Sequence, residues 1–179
     1  MDFLELAKVR YSVRKFSQQQ VEPDKLDRIL EAGRLAPTAA NAQPQRILVL
    51  NSEASLSKLK TCTTYHFNAP LVLLIGYDTT ASWKRPYDNN DSGYVDASIV
   101  TTHIMLEAAN LGLGSTWVGH FDPAVIRKAF ALPLAIVPVA LLPIGYPDKT
   151  SVPNPNHDKR YEKDKTIFYN TFAAISASE

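Results

Sequence analysis

The residues best suited to chemistry form a basic stretch, Lys8 to Phe16, near the start of the chain. Arg10 and Arg14 stand four positions apart with Ser12 between them, and lysines flank the pair. A guanidinium group binds phosphate through two parallel hydrogen bonds, and a serine hydroxyl can add another. If a helix ends near Arg10, these side chains can converge on one anion. The alternative, a solvated basic face at the end of a short helix, stays open from the spacing alone.

A second informative segment is the loop Ala36 to Pro44, in which most side chains are small. Small side chains let a flat ligand approach the backbone closely, and Asn41 and Gln43 each offer both a donor and an acceptor. Such amides suit a planar heterocycle with alternating donors and acceptors. The same residues also suit a turn-rich loop whose amides bind their own backbone, so both interpretations stand at this point.

Composition limits the class of protein. The 179 residues are 45% hydrophobic and 21% charged, which is typical of one soluble globular domain. A formal net charge of +1 predicts no general attraction to nucleic acid or to a membrane surface. Cys62 is the one cysteine, which excludes an internal disulfide and favours a reducing compartment. The acidic start lacks a signal-peptide pattern, and prolines interrupt the longest apolar run, so we expect a cytoplasmic protein without a membrane span.

The elements that must position these residues mix helices and strands without strict alternation, which favours an α+β sandwich over a doubly wound sheet. Helical spacing, caps and prolines predict helices over residues 3–9, 23–36, 52–60, 94–113 and 123–130. Short apolar runs predict strands over residues 47–50, 71–75, 115–118 and 139–144. Because proline cannot donate to a sheet ladder, Pro138 predicts that the last strand is not central at that point.

Two segments are expected to lack regular structure. Thr79 to Ser92 is polar, and we interpret it as an exposed loop, with a role as a lid left open. The tail after Pro147 carries a second basic patch, His157 to Arg160. Beyond the patch an aromatic cluster is too apolar to stay in water, and we expect it to lie on the same domain or on a neighbouring subunit. Its members are Ile167, Phe168, Tyr169 and Phe172.

A metal site is not expected. His103 and Glu107 lie one helical turn apart, but zinc takes three or four ligands and no third one is near in the sequence. We interpret Cys62 as a partly buried thiol.

Four motifs follow one another along the chain. They are Arg-x-Ser-x-Arg-x-Phe at 10–16, Ala-Pro-Thr-Ala-x-Asn-x-Gln-Pro at 36–44, Gly-Leu-Gly-Ser-Thr-Trp-Val-Gly at 112–119 and Leu-Pro-Ile-Gly-Tyr-Pro at 142–147. In this order, and with the basic patch near the C-terminus, the set resembles the nitroreductase family of flavoproteins.

The resemblance implies a fold and an activity. The fold would be an α+β three-layer sandwich around a mostly antiparallel sheet, in an intertwined homodimer. Residues 1–179 would form a single FMN-binding domain, with 148–179 as a C-terminal arm. The activity would be hydride transfer from NADH or NADPH, through N5 of FMN, to a nitroaromatic, a quinone or a similar small electron-poor acceptor. Two alternatives remain: a non-redox module that binds anions or nucleotides, and a flavin enzyme of the same fold with different chemistry, such as dehalogenation.

The resemblance also carries roles over to single residues. Arg10 and Ser12 match phosphate and ribityl contacts, Arg14 matches a cation beside the N1 and O2 edge of the flavin, and Asn41 and Gln43 match an amide-bearing loop that partly reaches from the other subunit. The full set of cofactor-binding residues implied in this way is Arg10, Tyr11, Ser12, Arg14, Thr38, Ala39, Asn41, Gln43, Trp117, Pro143, Ile144, Gly145, Lys159 and Arg160.

This sequence departs from the family pattern at several positions. Ala39 and Ala40 stand where a serine is common, and Gln45 stands where the family often has tryptophan. Tyr161 replaces a frequent second basic residue, so the phosphate contact is expected to depend on Lys159 and Arg160.

Overall fold

The computed structural model describes residues 2–172, which form a four-stranded sheet with helices on both faces. The helices are α1 (Phe3–Val9), α2 (Pro23–Arg34), α3 (Glu53–Lys60), α4 (Gly93–Asn110) and α5 (Pro123–Ala129). The strands are β1 (Gln45–Leu50), β2 (Leu71–Asp78), β3 (Gly114–Ser115) and β4 (Ile136–Gly145). Short 3-10 turns lie at Ala39–Asn41 and Lys163–Lys165.

The helices begin at the residues whose chemistry predicts a start. Asp2 accepts a hydrogen bond from the Glu5 backbone N–H at 2.9 Å, and Ser52 forms a capping box with Ser55. Helix α4 ends at Asn110, three residues earlier than the apolar pattern predicts. The chain leaves the helix there because Gly112 takes a left-handed φ of 76°, which glycine adopts without strain.

All strand pairs are antiparallel, in the order β1-β2-β4-β3. Strand β4 begins three residues before the predicted position and runs through Pro138. A register shift at Gly76 places this glycine opposite Pro138, and a Cβ on Gly76 would lie 2.5 Å from the Val137 carbonyl oxygen. Strand β3 pairs with β4 only at Ile144 and Gly145, so at Pro138 the strand has one partner, and its missing N–H breaks no ladder on the other side.

Alternate residues of β2 enter two separate cores. Leu71, Leu73 and Ile75 pack with α2 and α4 on one face of the sheet, whereas Val72 and Leu74 pack with α3 and α5 on the other. A strand that is apolar on both faces is the signature of a covered sheet. The molecule therefore has three layers, and the predicted α+β sandwich with an antiparallel sheet is confirmed.

The segment Thr79 to Ser92 is exposed, as predicted, but it is an ordered hairpin. Lys84 and Asp91 form a β-bridge, and the Arg85 guanidinium binds the Asp88 carboxylate. Tyr87, next to the tip of the hairpin, is 95% exposed.

From residue 148 to residue 172 the tail follows the surface without helix or strand, apart from its 3-10 turn. Its aromatic cluster stays largely open: Tyr169 is 83% exposed, and Phe168 contacts Phe172 at a ring distance of 5.3 Å. The predicted arm 148–179 is described as far as residue 172, and residues 173–179 lie outside the described part. None of the helices in residues 2–172 combines the length and apolarity that a membrane crossing needs.

Candidate functional site

The basic stretch after α1 is fixed against the ends of β3 and β4. The Val13 N–H donates to the Ser115 carbonyl at 3.0 Å, and Ser12 forms a parallel bridge with Ser115. The buried Val13 side chain packs so closely on Gly114 that a Cβ there would lie 2.4 Å from Val13 Cγ2. This contact turns Ser12 and Arg14, on either side of Val13, away from the core: Ser12 is half-buried and Arg14 is exposed.

The two ends of the chain meet beside this stretch. His157 Nε2 lies 3.1 Å from the Lys8 carbonyl oxygen, and the Tyr11 hydroxyl donates to Ser151 Oγ at 3.2 Å. The rings of Tyr11 and His157 are edge-to-face, with centroids 6.2 Å apart. The Arg160 guanidinium donates to the carbonyls of His157 and Lys159. The structure thus brings the basic patch of the tail to the residues around Arg10.

These cations have no anionic partners within residues 2–172. Arg10 is half-buried, yet its guanidinium makes neither a hydrogen bond nor an ion pair there, and the Arg14 guanidinium donates only to the Ser12 carbonyl at 3.1 Å. No ion pair among those residues includes Lys159 or Arg160. A partly buried charge such as that of Arg10 is normally compensated, whereas Arg14, Lys159 and Arg160 are exposed. We call these four residues the cation cluster, and together they have the chemistry of an anion site. Its donors fit a phosphate group.

One acidic group close to the basic stretch, Asp148, is held in a turn of its own. Asp148 follows β4, and its carboxylate accepts hydrogen bonds from the Thr150 N–H at 2.8 Å and the Thr150 hydroxyl at 2.7 Å. These bonds, the backbone one first, hold the pKa of Asp148 below its ordinary value, and the charge of Lys15 contributes less. Asp148 therefore belongs to a turn at the start of the tail, and no ion pair of residues 2–172 joins it to any residue of the cation cluster.

The end of β4 runs beside the basic stretch. Pro143, Ile144 and Gly145 are buried, and the Thr116 N–H donates to the Pro143 carbonyl at 3.3 Å. Trp117, next in the chain, is half-buried against the core on the α2 and α4 face. The structure thus groups these four predicted site residues with the cation cluster, at one end of the sheet.

Tyr146 fixes that end of β4 to α2. Its hydroxyl donates to the Glu22 carboxylate at 2.8 Å and accepts from Lys25. The hydrogen bond to Tyr146 raises the pKa of Lys25, and the Tyr146 carbonyl accepts from the Ser17 N–H at 2.9 Å. Side chain and backbone together thereby hold the strand end against the residues that follow the basic stretch.

The amide loop, residues 36–44, lies at the end of the sheet opposite to the cation cluster. Its Pro44 carbonyl accepts from the Asp78 N–H at 2.9 Å, and Asp78 pairs with Ile136 at the start of β4. From Ile136 to Gly145 is nine strand steps, or about 30 Å at roughly 3.3 Å per residue. Within one chain, Asn41 and Gln43 therefore lie too far from the cation cluster to contact it. Thr38 and Ala39 belong to the same loop and are equally distant.

An apolar cavity beside β1 also lies away from the predicted residues. Its volume is about 420 Å³, and Leu48, Leu74, Phe130 and Leu132 are among its lining side chains. None of the predicted cofactor-binding residues lines it. Of the four cations in the cluster, three are exposed and Arg10 is half-buried.

Two residues near these sites were missed by sequence reasoning. The sequence suggests a surface or loop position for His157, and the histidine does lie in a turn of the tail, but its contact with the Lys8 carbonyl was not foreseen; its place near the basic pair was the available signal. Asp96 is 1% exposed, and its carboxylate accepts from the Ala39 N–H. An acid on a helix that is apolar nearly all round could have indicated a buried anchor.

The two residues spaced like metal ligands on α4 each bind a group of the protein itself. His103 Nδ1 lies 3.0 Å from the Ile99 carbonyl oxygen, and Glu107 binds the Arg28 guanidinium at 2.7 Å. Within residues 2–172 no three histidine, cysteine or acidic side chains cluster in a way that could hold a metal ion.

The chain is similar to proteins of one family. The family model described as "Nitroreductase family" matches residues 7–64 and 57–146. A solved nitroreductase family protein from Clostridium difficile 630 is 40% identical with a TM-score of 0.90, over 96% of this chain and 99% of its own. An FMN-dependent nitroreductase from Clostridium difficile R20291 is 30% identical with a TM-score of 0.79, over 95% of this chain and 100% of its own. A protein of Methanothermobacter thermautotrophicus, provisionally named NADH dehydrogenase/NAD(P)H nitroreductase, is 30% identical over 92% of this chain and 85% of its own. The chain belongs to the nitroreductase family, as its ordered motifs predict.

Proposed function

We propose that the protein is an FMN-dependent NAD(P)H oxidoreductase that reduces nitroaromatics, quinones or similar electron-poor acceptors. The observation that carries the proposal is the cation cluster, in which the half-buried Arg10 lacks any anionic partner among the described residues. Family membership and the FMN-dependent relative from Clostridium difficile R20291 support the same cofactor.

The residues of the cluster would hold the phosphate end of FMN. Arg10, Lys159 and Arg160 offer charge-assisted donors, which are the strongest class of hydrogen bonds to phosphate, and Ser12 adds a hydroxyl. The Tyr11 hydroxyl, through its bond to Ser151, would keep the tail over this end of the site. The burial of Arg10 limits competition from water and so strengthens its electrostatic contribution.

The flavin ring would lie against the end of β4. The backbone of Pro143, Ile144 and Gly145 would line one edge of the ring, and Arg14 would place positive charge beside another. When bound, FMN supplies the two-electron carrier between the nicotinamide and the acceptor. The chain itself then has to bind and orient the FMN and to polarise its ring, and no side chain is assigned as nucleophile or general base.

We further propose a homodimer in which each site takes its amide loop from the partner. The separation of about 30 Å along β4 is too long for Asn41 or Gln43 to reach the cluster within one chain. Large apolar side chains of α1, of the first turn of α4 and of the tail are exposed in the single chain, and a partner would cover them. These side chains are Phe3, Leu4, Tyr94, Val95, Tyr161, Tyr169 and Phe172.

The proposal treats residues 1–179 as one FMN-binding domain whose arm, 148–179, contributes Lys159 and Arg160. A cytoplasmic location is part of it, because the one cysteine, Cys62, is free and needs no oxidising compartment.

The decisive experiment is a visible spectrum of the freshly purified protein, followed by anaerobic addition of NADH or NADPH. A flavin spectrum that is bleached by the nicotinamide, with FMN as the released cofactor on chromatography, supports the proposal. A protein that stays colourless and takes up no added FMN would leave the non-redox anion- or nucleotide-binding module as the better description. Light scattering of the same sample tests the dimer, and a monomer that retains FMN would refute the shared site.

Turnover on a panel of acceptors separates the remaining alternative. Rapid reduction of quinones and nitroaromatics is expected. If the bleached protein reoxidises only with a halogenated aromatic compound and releases halide, the fold carries different chemistry on the same cofactor.

A further inference from the structure

Asp96 is a buried charge at the junction of three segments. It lies in the first turn of α4 and is 1% exposed. One carboxylate oxygen accepts from the Ala39 N–H at 2.9 Å, and the other accepts from the Ser92 hydroxyl at 2.8 Å. The carboxylate thus ties the amide loop, the end of the Thr79 to Ser92 hairpin and α4 together. Its position near a helix N-terminus favours the negative charge.

The amide loop needs such an anchor because its backbone is strained. Ala40, Asn41 and Gln43 have φ values of 51°, 53° and 49°, in the left-handed region that residues with a Cβ rarely adopt. Strained backbone of this kind persists only where its surroundings determine it, and it concentrates at ligand sites. Within the loop, the Gln43 N–H donates to Thr38 Oγ1 at 3.1 Å, but this bond cannot fix the loop to the rest of the molecule.

We infer that Asp96 is a positioning residue of the flavin site: its carboxylate holds the Thr38 to Gln43 loop in the shape that presents the Asn41 and Gln43 amides to the cofactor. The inference rests on the proposed function. Asp96 itself touches neither the cofactor nor the acceptor, and it acts through the Ala39 N–H. Because the same carboxylate binds Ser92, the loop and the hairpin share one anchor.

Two substitutions break the anchor from its two sides. Asp96→Ala removes the carboxylate. Ala39→Pro removes the N–H donor and places its Cδ atom toward the Asp96 oxygen, so it also displaces the carboxylate. The backbone tolerates the proline because Ala39 has no positive φ and Thr38 is extended, with φ −134° and ψ 155°. Asp96→Asn is the conservative variant, since its amide oxygen can still accept from Ala39 while its NH₂ group donates to the Ser92 oxygen.

The matched control is Thr101→Ala on the same helix. Thr101 is fully buried and polar, and its hydroxyl donates to the Ala97 carbonyl at 2.7 Å without contact to the loop. This variant should lower the melting temperature of the protein, as Asp96→Ala does, and leave the flavin site unchanged.

The measurement is the rate of FMN release from the holoprotein, followed by the recovery of flavin fluorescence, together with hydrogen exchange of residues 39–43 in the apoprotein. Loss of a hydrogen bond to a buried charge predicts about 10- to 100-fold faster release in Asp96→Ala and Ala39→Pro, with faster exchange in the loop. Asp96→Asn should restore most of the wild-type rate, and Thr101→Ala should release FMN at the wild-type rate.

Release at the wild-type rate from folded Asp96→Ala or Ala39→Pro would overturn the inference while the proposed function stands. Equal acceleration in Thr101→Ala would also overturn it, because general loss of stability would then explain the effect. If Asp96→Ala does not fold, the FMN release rates of Ala39→Pro and Asp96→Asn test the inference instead. If the wild type binds no FMN, the proposed function fails, and loop exchange in the apoprotein still shows whether Asp96 is the anchor.

Discussion

Arg10→Ala should weaken FMN binding without weakening the fold. The Arg10 side chain has no hydrogen bond or ion pair within the described residues, so its removal leaves no unpaired group behind in the apoprotein. The loss should therefore equal its bond to the phosphate, which for a charged group is about 1.5–3 kcal/mol, or roughly a 10- to 150-fold increase in the dissociation constant. The melting temperature of the apoprotein should stay the same or rise, since one cation of a repelling cluster is gone.

The assay is titration of the apoprotein with FMN and, separately, with riboflavin, which lacks the phosphate. Arg10→Ala should raise the dissociation constant for FMN only, and it should reduce the dependence of FMN binding on salt. Arg10→Lys should recover part of the loss, because an ammonium group keeps the charge but not the two-pronged geometry. Arg28→Ala is the matched control, since Arg28 binds Glu107 on the α2 and α4 side and has no role in the proposed site.

Two results would refute the reasoning. An unchanged dissociation constant for FMN would show that Arg10 does not meet the phosphate. An equal loss for riboflavin would show that Arg10 acts on the ring or through the fold.

Three further changes test other contacts. Tyr11→Phe removes a hydroxyl that binds the tail. The free energy of opening of residues 151–157 should fall by about 0.5–1.5 kcal/mol, and their hydrogen exchange should become faster; unchanged exchange would show that the tail is held elsewhere. Gly114→Ala should cost about 1–3 kcal/mol of unfolding free energy in chemical denaturation, because its Cβ would lie 2.4 Å from a buried side chain, whereas Gly119→Ala, with open space around it, should cost nothing. Burial, and to a lesser extent the charge of Lys60, lower the pKa of His66 in the folded protein. The folded state therefore favours the neutral imidazole, and this contribution to stability is fully present above the ordinary pKa of 6.5. It is lost as the pH falls from there through the lowered pKa. The melting temperature should therefore fall as the pH is lowered below the ordinary value of 6.5, and fall less in His66→Gln; equal slopes would rule out this histidine as the cause.

The sequence predicts most of the layers because local signals and packing agree. Asp2, Ser52 and Asp122 cap helices at the expected positions, and the run from Leu71 to Ile75 forms a strand buried on both faces. The start of β4 was harder to predict, since Pro138 argues against a strand until the register shift opposite Gly76 is known. Such a bulge depends on a partner strand about 60 residues away, which no local pattern contains.

For the candidate site, too, the sequence predicts one part and only the fold shows the other. Residue types and order indicate the motifs, but only the fold shows that His157, which Arg160 binds, lies on Lys8 and that Asn41 lies at the far end of the sheet. Asp96 and His157 act through single hydrogen bonds to distant backbone atoms, to Ala39 and Lys8. Contacts of this kind leave no periodicity in a sequence.

The meeting of the two chain ends has a consequence for how the protein is made. Tyr11 and Ser151 are 140 positions apart, and His157 and Lys8 are separated by 149. During translation the basic stretch must therefore wait, without these neighbours, until residues 151–157 have left the ribosome. Contacts between such distant positions form slowly, so under the proposed function the binding of a phosphate-bearing cofactor would follow the arrival of that segment.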